Sequence, residues 1–504
     1  MNRPNIITIL ADDMGYSDLG CYGGEINTPN IDKLAAGGQS HTQFYNIARC
    51  CPSRATLMTG LYPHQCGIGH MTHIPTDKAS DDRGLFGYRG FLNRHNVTMA
   101  EVLRDSGYET WLSGKWHLGM FEKNLYPSQR GFERFYGILA GGCNYFKPAH
   151  PRGIWSNDDP IEPESSYYTT DAFTDNALKF ISERNNDAPF FLYLAYNAPH
   201  WPLQAPEELV KKYRGRYLGG WDKLREERYE RMKKLGIIDK NCALSPRDPE
   251  VRAFDTLDDA KKDEMDLRMA VYAAQVERMD WNIGRLVTHL EQQGCLENTL
   301  IMFLSDNGAC AEGGELGRGK PEEINKPEPG QLMISYGRAW ANASNTPYRL
   351  FKHYVHEGGI RTPFICHWPA GIRHKGFVNE PGHLIDLMPT VLELSGAKYP
   401  ANYHGNDIPP LEGFSLNDSF KTGKREAAEI PRYLFWEHED NCSIRLGKFK
   451  ALQKYDTGQW ELYNLDEDAS EINNIASQKP GIVKELSNRW YDWARTHYVV
   501  PKNP

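Results

Sequence analysis

Cysteine is scarce, with 10 residues among 504. That excludes the small disulfide-built scaffolds, in which Cys exceeds roughly 8% of a short chain. An excess of one charge is missing too: 58 Lys and Arg against 66 Asp and Glu leave a net charge of −8. No stripe of Lys and Arg is present to track a phosphate backbone, so a nucleic-acid partner is not expected. Long apolar runs are also lacking. The stretch Pro189 to Pro206 holds no Asp, Glu, Lys or Arg, but Asn197, Pro199, His200 and Pro202 interrupt it, and no membrane span is read there. Nor is there room for an apolar export region, because Met1-Asn2-Arg3-Pro4 leads straight into a strand-like segment. What the chain does have is 40% hydrophobic and 12% aromatic residues, enough to bury a large core. Its length suits an enzyme of two or three domains.

Three apolar runs read as buried strands: Asn5 to Ala11, Phe190 to Ala195 and Leu300 to Ser305. Apolar on both faces, they fit the middle of a parallel sheet. Helical patterns lie between them, at Thr170 to Glu183 and from Asp258 to Gln293. Buried strands alternating with helices predict an α/β fold with a large mixed, mostly parallel sheet flanked by helices. From Lys398 the texture changes. Pro400, Pro409 and Pro410 punctuate a loop, and short strand-like runs follow at Tyr433, Ser443, Phe449 and Trp460, before a helical stretch from Ile482 to Thr496. This reading divides the chain into residues 1–397, a main domain, and residues 398–504, a smaller α+β domain with an antiparallel sheet. The charged segment Lys211 to Asp263 is expected to form exposed helices or an excursion from the main domain.

In open α/β sheets, ligands bind beyond the carboxyl ends of the strands. Here all three strands end on polar groups: Asp12-Asp13, Asn197 with His200, and Asp306-Asn307. Each could alone be a turn former or a helix cap. The densest motif is Cys50-Cys51-Pro52-Ser53-Arg54, running on to Thr59-Gly60. Proline suits the first turn of a helix, and a helix N-terminus favours negative charge. The motif could hold a nucleophile and an anion beside Arg54, or be a buried structural cysteine pair.

The run resembles the signature of the sulfatases, Cys-x-Pro-Ser-Arg-x-x-x-x-Thr-Gly, whose first Cys is oxidised to Cα-formylglycine. Pro52 sets the register at Cys50. Further sulfatase-like stretches follow in order: Gly114 to Gly119, Ala198-Pro199-His200, Ser305 to Gly308, Asn345-Thr346-Pro347 leading to Lys352, and Glu357 to Pro363. The end, Trp460 to Leu465 with Glu471 and Asn474, is similar to sulfatase C-terminal domains. The resemblance is to the arylsulfatase-like enzymes of the alkaline phosphatase superfamily and implies that fold. It implies a formylglycine cofactor derived from Cys50, installed by a formylglycine-generating maturation enzyme as partner. It also implies a metal site of Asp12, Asp13, residue 50, Asp306 and Asn307. Those oxygen ligands suit Ca²⁺ first and Mg²⁺ second, rather than zinc. By the same resemblance Arg54, Lys115 and Lys352 clamp the sulfate, and Asp306 takes the proton of the attacking hydroxyl. His200 protonates the leaving alcohol, and His117 deprotonates the second hydroxyl so that sulfate is expelled. Taken singly, Lys115 and His117 could be a solvated lysine beside a core histidine, His200 a loop cap, and Asp306-Asn307-Gly308 a turn. Glu357-Gly358-Gly359 reads as a backbone turn delivering the next strand.

The expected substrate is a small-molecule or oligosaccharide sulfate ester, with a lean to galactose sulfate. The loops that would shape the leaving-group side carry Asn144, Tyr145, Trp155, Trp436, His438 and Glu439. Aromatic platforms with polar neighbours suit a sugar, although the same aromatics could pack a domain interface. Among them Asn144, Tyr145, His438 and Glu439 are the candidate substrate-binding residues. Two rival readings stay open: a phosphonate monoester or phosphodiester hydrolase with a related site, and a catalytically weak sulfated-glycan-binding relative. A two-zinc alkaline phosphatase would need further His and Asp ligands that are not found. The expected location is periplasmic or secreted, with the leader outside this chain, or else cytoplasmic.

Overall fold

Strands whose residues are apolar on both faces must be covered on both faces, and the computed structural model has that arrangement. It describes residues 3–72, 85–185, 187–328, 333–425 and 432–499. The strand Asn5–Ala11 lies between Phe190–Ala195 and Thr299–Ser305, parallel to both, and nearly all of their residues are buried. Glu109–Lys115 pairs in parallel with Phe190–Ala195 and with Arg134–Ile138. On the other side, Arg361–His367 runs antiparallel to Thr299–Ser305 and to Gln39–Tyr45. The described residues build a mixed sheet of 11 strands. Its parallel centre sends the ends of four strands, at Ala11, Lys115, Ala195 and Ser305, to one edge.

Helices cover both faces. Thr169–Ser182 and the 34-residue helix Asp259–Gln292 match the patterns expected, each shifted by a residue at its ends. The longer one starts where the Asp258 carboxylate accepts from Lys261 N–H, which caps an otherwise unpaired donor. Ten residues, Cys50–Thr59, form a helix buried on every side, closed at Gly60 with φ 71°. That left-handed conformation costs glycine little.

The charged segment does not leave the domain. Its helices, Glu207–Tyr213 and Gly220–Leu235, keep a solvated outer face but bury Trp221, Arg225, Arg228 and Met232. Arg228 reaches Asp18 at 2.6 Å and Glu25 at 2.7 Å, so charge itself pins the helix to the main body. The Glu357-Gly358-Gly359 run is a helical turn, Glu357–Ile360, entering the strand Arg361–His367 directly.

The four strands Tyr433–His438, Asn441–Leu446, Phe449–Gln453 and Trp460–Asn464 form an antiparallel meander. The last helix, Pro480–Thr496, packs on it through Trp493, stacked on Phe435 at 4.8 Å, and Trp490, whose indole N–H donates to the Trp436 carbonyl. One apolar cluster joins the two sheets, running from Ile6 and Leu10 to Trp436, Trp490 and Trp493. Buried charge joins them as well. Lys450 lies 2.8 Å from both Glu357 and Glu471, and Arg361 lies 3.2 Å from Glu357.

Candidate active site

The four strand ends gather the sequence-predicted residues around one small cavity. Asp12 and Asp13 follow Ala11, Asp306 and Asn307 follow Ser305, and His200 stands in the loop after Ala195. Lys115 ends its strand, and His117, at φ 56°, turns back toward it. Cys50 begins the buried helix beside them. Two glycines make room for the histidines: a Cβ on Gly141 would lie 2.6 Å from the His117 ring, and one on Gly142 3.2 Å from His200. The cavity is bounded by Cys50, His117, His200 and Lys352, and its volume is about 140 Å³.

Asp12, Asp13, Asp306 and Asn307 are all buried. Asp12 Oδ1 and Asn307 Oδ1 have no hydrogen-bond partner, which is costly for polar atoms away from water. Burial, with Asp12 as the next contributor, pushes the Asp306 carboxyl up to about 8, and burial raises Asp12 too. Crowded carboxylates and orphaned oxygens fit a hard divalent cation, which takes oxygen ligands and repays their desolvation. The donor set is sound for such an ion.

Protein cations currently hold these oxygens. Lys115 Nζ lies 2.6 Å from Asp12 Oδ2, and Lys352 Nζ 2.9 Å from Asp13. Burial opposes ionisation of Asp13, but Lys352 and then His200 outweigh it and lower its pKa. Arg54 donates from Nη2 to Asp306 Oδ2 at 2.9 Å and from Nη1 to the Lys115 carbonyl at 3.0 Å. Arg54 is fully buried, and its guanidinium holds Asp306. Burial lowers His117 to about 3 and His200 to about 4. His200 Nδ1 lies 2.7 Å from the Trp201 carbonyl, which leaves Nε2 to face Asp13 Oδ2 at 3.5 Å. The Cys50 thiol is held well below its usual range, first by its hydrogen bond with Cys51 and then by Lys115, His117 and Lys352. A nucleophile at residue 50 therefore sits among cations, with carboxylates close by to accept protons.

Two of the candidate substrate residues point elsewhere. Asn144 donates to the Glu328 carbonyl and accepts from the N–H groups of Phe146 and Lys147. Tyr145 is buried with its hydroxyl 2.7 Å and 2.8 Å from the carbonyls of Asn197 and His200, so it braces the His200 loop from behind. His438 and Glu439 meet His353 beside the cavity rather than lining it. Trp436 is buried, its indole N–H on the Asn46 carbonyl. The walls come instead from Arg49, Arg152, Trp201 and Glu312, none of them singled out by sequence. Arg49 pairs with Glu312 at 3.0 Å, and the Trp201 indole N–H donates to Glu312 at 2.8 Å. Arg49 and Trp201 adjoin Cys50 and His200 in the chain, which is a signal the sequence carries. The loop holding Glu312 carries none. All 10 cysteines are free.

Comparison with known proteins bears on this geometry. The family model Sulfatase matches residues 4–397, and the model N-sulphoglucosamine sulphohydrolase, C-terminal, matches residues 348–496. An uncharacterized sulfatase of Schizosaccharomyces pombe is 36% identical, over 97% of this chain and 93% of its own. An arylsulfatase of Klebsiella aerogenes is 34% identical, over 82% of this chain and 91% of its own. Among solved structures, that of Ps i-CgsB in complex with k-i-k-neocarrahexaose superposes with a TM-score of 0.72 at 28% identity, over 98% of this chain and 93% of the other. No helix among the described residues is long and apolar enough to cross a membrane.

Proposed function

The chain belongs to the sulfatase family and is a sulfuric ester hydrolase, and we propose that it cleaves an O-sulfated carbohydrate through a formylglycine made from Cys50. The observation that carries the reading is the convergence of residue 50, His117, His200 and Lys352 on one cavity, with Lys115 on Asp12 and Lys352 on Asp13 linking it to the strand-end carboxylates. Support for a sugar comes from the neocarrahexaose bound by Ps i-CgsB and from an N-acetylgalactosamine-6-sulfatase of Mus musculus, 27% identical over 94% of this chain.

In the proposed reaction, a hydrated formylglycine at residue 50 would supply two hydroxyls, one to attack sulfur and one to release sulfate. Asp306 would accept the proton of the attacking hydroxyl. Lys115 and Lys352 face the sulfate oxygens, where charge is concentrated, while Arg54 keeps Asp306 in place. His200, once protonated on both nitrogens, delivers a proton to the departing sugar oxygen. His117 would take the proton of the second hydroxyl as sulfate leaves with its bridging oxygen. A divalent cation at Asp12, Asp13, Asp306 and Asn307, Ca²⁺ before Mg²⁺, supplies positive charge that lowers the pKa of the attacking hydroxyl.

Protein produced together with a formylglycine-generating enzyme should turn over members of a panel of positionally defined sulfated monosaccharides, with galactose sulfates tested first. Faster hydrolysis of phosphonate monoesters or phosphate diesters than of every sulfate ester would overturn the reading. So would binding of sulfated glycans without turnover.

A further inference from the structure

Beside the strand-end cavity lies a second cluster of metal-ligating side chains with unmet polar atoms. His353 follows Lys352, whereas His438 ends the strand Tyr433–His438 and Glu439 opens the hairpin turn after it. One ligand atom from each lies within 4.8 Å of the others. His353 Nδ1 is 3.1 Å from Glu439 Oε2, and His438 Nε2 is 3.6 Å from Glu439 Oε1. The two imidazole rings stand 5.6 Å apart. His438 is wholly buried, yet neither of its ring nitrogens has a hydrogen-bond partner. Buried polar atoms rarely go without one. Burial lowers the pKa of this imidazole to about 3, which leaves it neutral with a lone pair to give. The side chains of His353 and Glu439, 25% and 41% exposed, leave a way in from solvent.

We infer that His353, His438 and Glu439 form a second metal site, which takes a borderline-soft dication, Zn²⁺ foremost, through two ring nitrogens and one carboxylate oxygen. Two histidines and a carboxylate are a ligand set that suits zinc, with a coordination position left open. The oxygen set at Asp12, Asp13, Asp306 and Asn307 suits a harder ion, so donor chemistry sorts two metals between two neighbouring sites. An ion held here ties the hairpin of the small sheet to the residue next to Lys352.

Full-length protein, stripped with chelator and saturated with Ca²⁺, is titrated with ZnCl₂ by calorimetry, and metal is counted after dialysis. The background is Cys50→Ala with Cys51→Ala, because Cys50, Cys51 and His117 form a separate sulfur-and-nitrogen cluster. One zinc per chain is expected in that background. His353→Ala should abolish binding, and Glu439→Gln should weaken it by at least about tenfold. Both positions are partly exposed, and thermal unfolding without zinc should be unchanged in each variant. Failure of the background to bind zinc would overturn the inference. Zinc binding that persists at full affinity in both variants would overturn it as well, whatever the sulfatase activity of the matured enzyme.

Discussion

Cys50 and Cys51 are adjacent in the chain and opposite in surroundings. Cys50 faces Lys115, His117 and Lys352, whereas burial raises the pKa of Cys51, whose sulfur accepts from the Thr72 N–H at 3.3 Å. The difference predicts which thiol matters. Cys50→Ala should lower turnover on the order of 10³- to 10⁶-fold, as loss of a nucleophile does, while Cys51→Ala retains activity. Kinetics and peptide mass spectrometry of the matured protein check this, with the aldehyde expected at residue 50. His200 supports a second prediction. A sugar alcohol leaves poorly without a proton, whereas a nitrophenolate leaves unaided. General acid catalysis contributes roughly 10²- to 10⁴-fold, so His200→Ala should cost about that on a sugar sulfate and far less on nitrophenyl sulfate. Lys352→Ala should impair both substrates alike. Equal losses for His200→Ala on the two leaving groups would assign His200 to binding.

At the scale of elements, the three strands are legible because a short run that is apolar on both faces needs cover on both, as a central strand has. Polar residues at their ends then mark the site edge, since a parallel sheet exposes all such ends together. Loop side chains carry no such periodicity. Nothing in the sequence tells that Tyr145 turns in toward the His200 carbonyl, or that Glu312 comes to Arg49. The helix Gly220–Leu235 misleads for a related reason: a run of charges reads as a solvated face, but Arg228 is buried against Asp18 and Glu25. Breaking a buried ion pair costs about 3–5 kcal/mol, so Arg228→Met should lower the thermal midpoint by several degrees. Burial raises the Glu25 carboxyl, and Arg228 more than offsets it, leaving the folded pKa below 4.5. The folded chain therefore binds fewer protons than the unfolded one. The stabilisation from this pair is complete above the ordinary glutamate value and is lost as pH falls through the folded one. Acid titration of stability should show this loss in the native chain and a reduced one in Arg228→Met.

On the scale of the whole molecule, the two sheets are held together by apolar packing and by the buried group of Glu357, Arg361, Lys450 and Glu471. Neither sheet can shed the other without exposing both kinds of surface. Calorimetry should record one cooperative transition, coincident with loss of tryptophan fluorescence, and two separated transitions would count against a shared core. The apolar cluster also has a consequence for manufacture. Ile6 and Leu10 leave the ribosome about 480 residues ahead of Trp490 and Trp493, yet all four belong to one cluster. At about 5–20 residues per second, the first strand waits roughly 25–100 seconds before the helix that completes its cluster exists. During that interval the nascent chain carries an unfinished greasy seam. Chains ending before Pro480 should accordingly associate with chaperones or aggregate, whereas chains that include the helix Pro480–Thr496 close the seam.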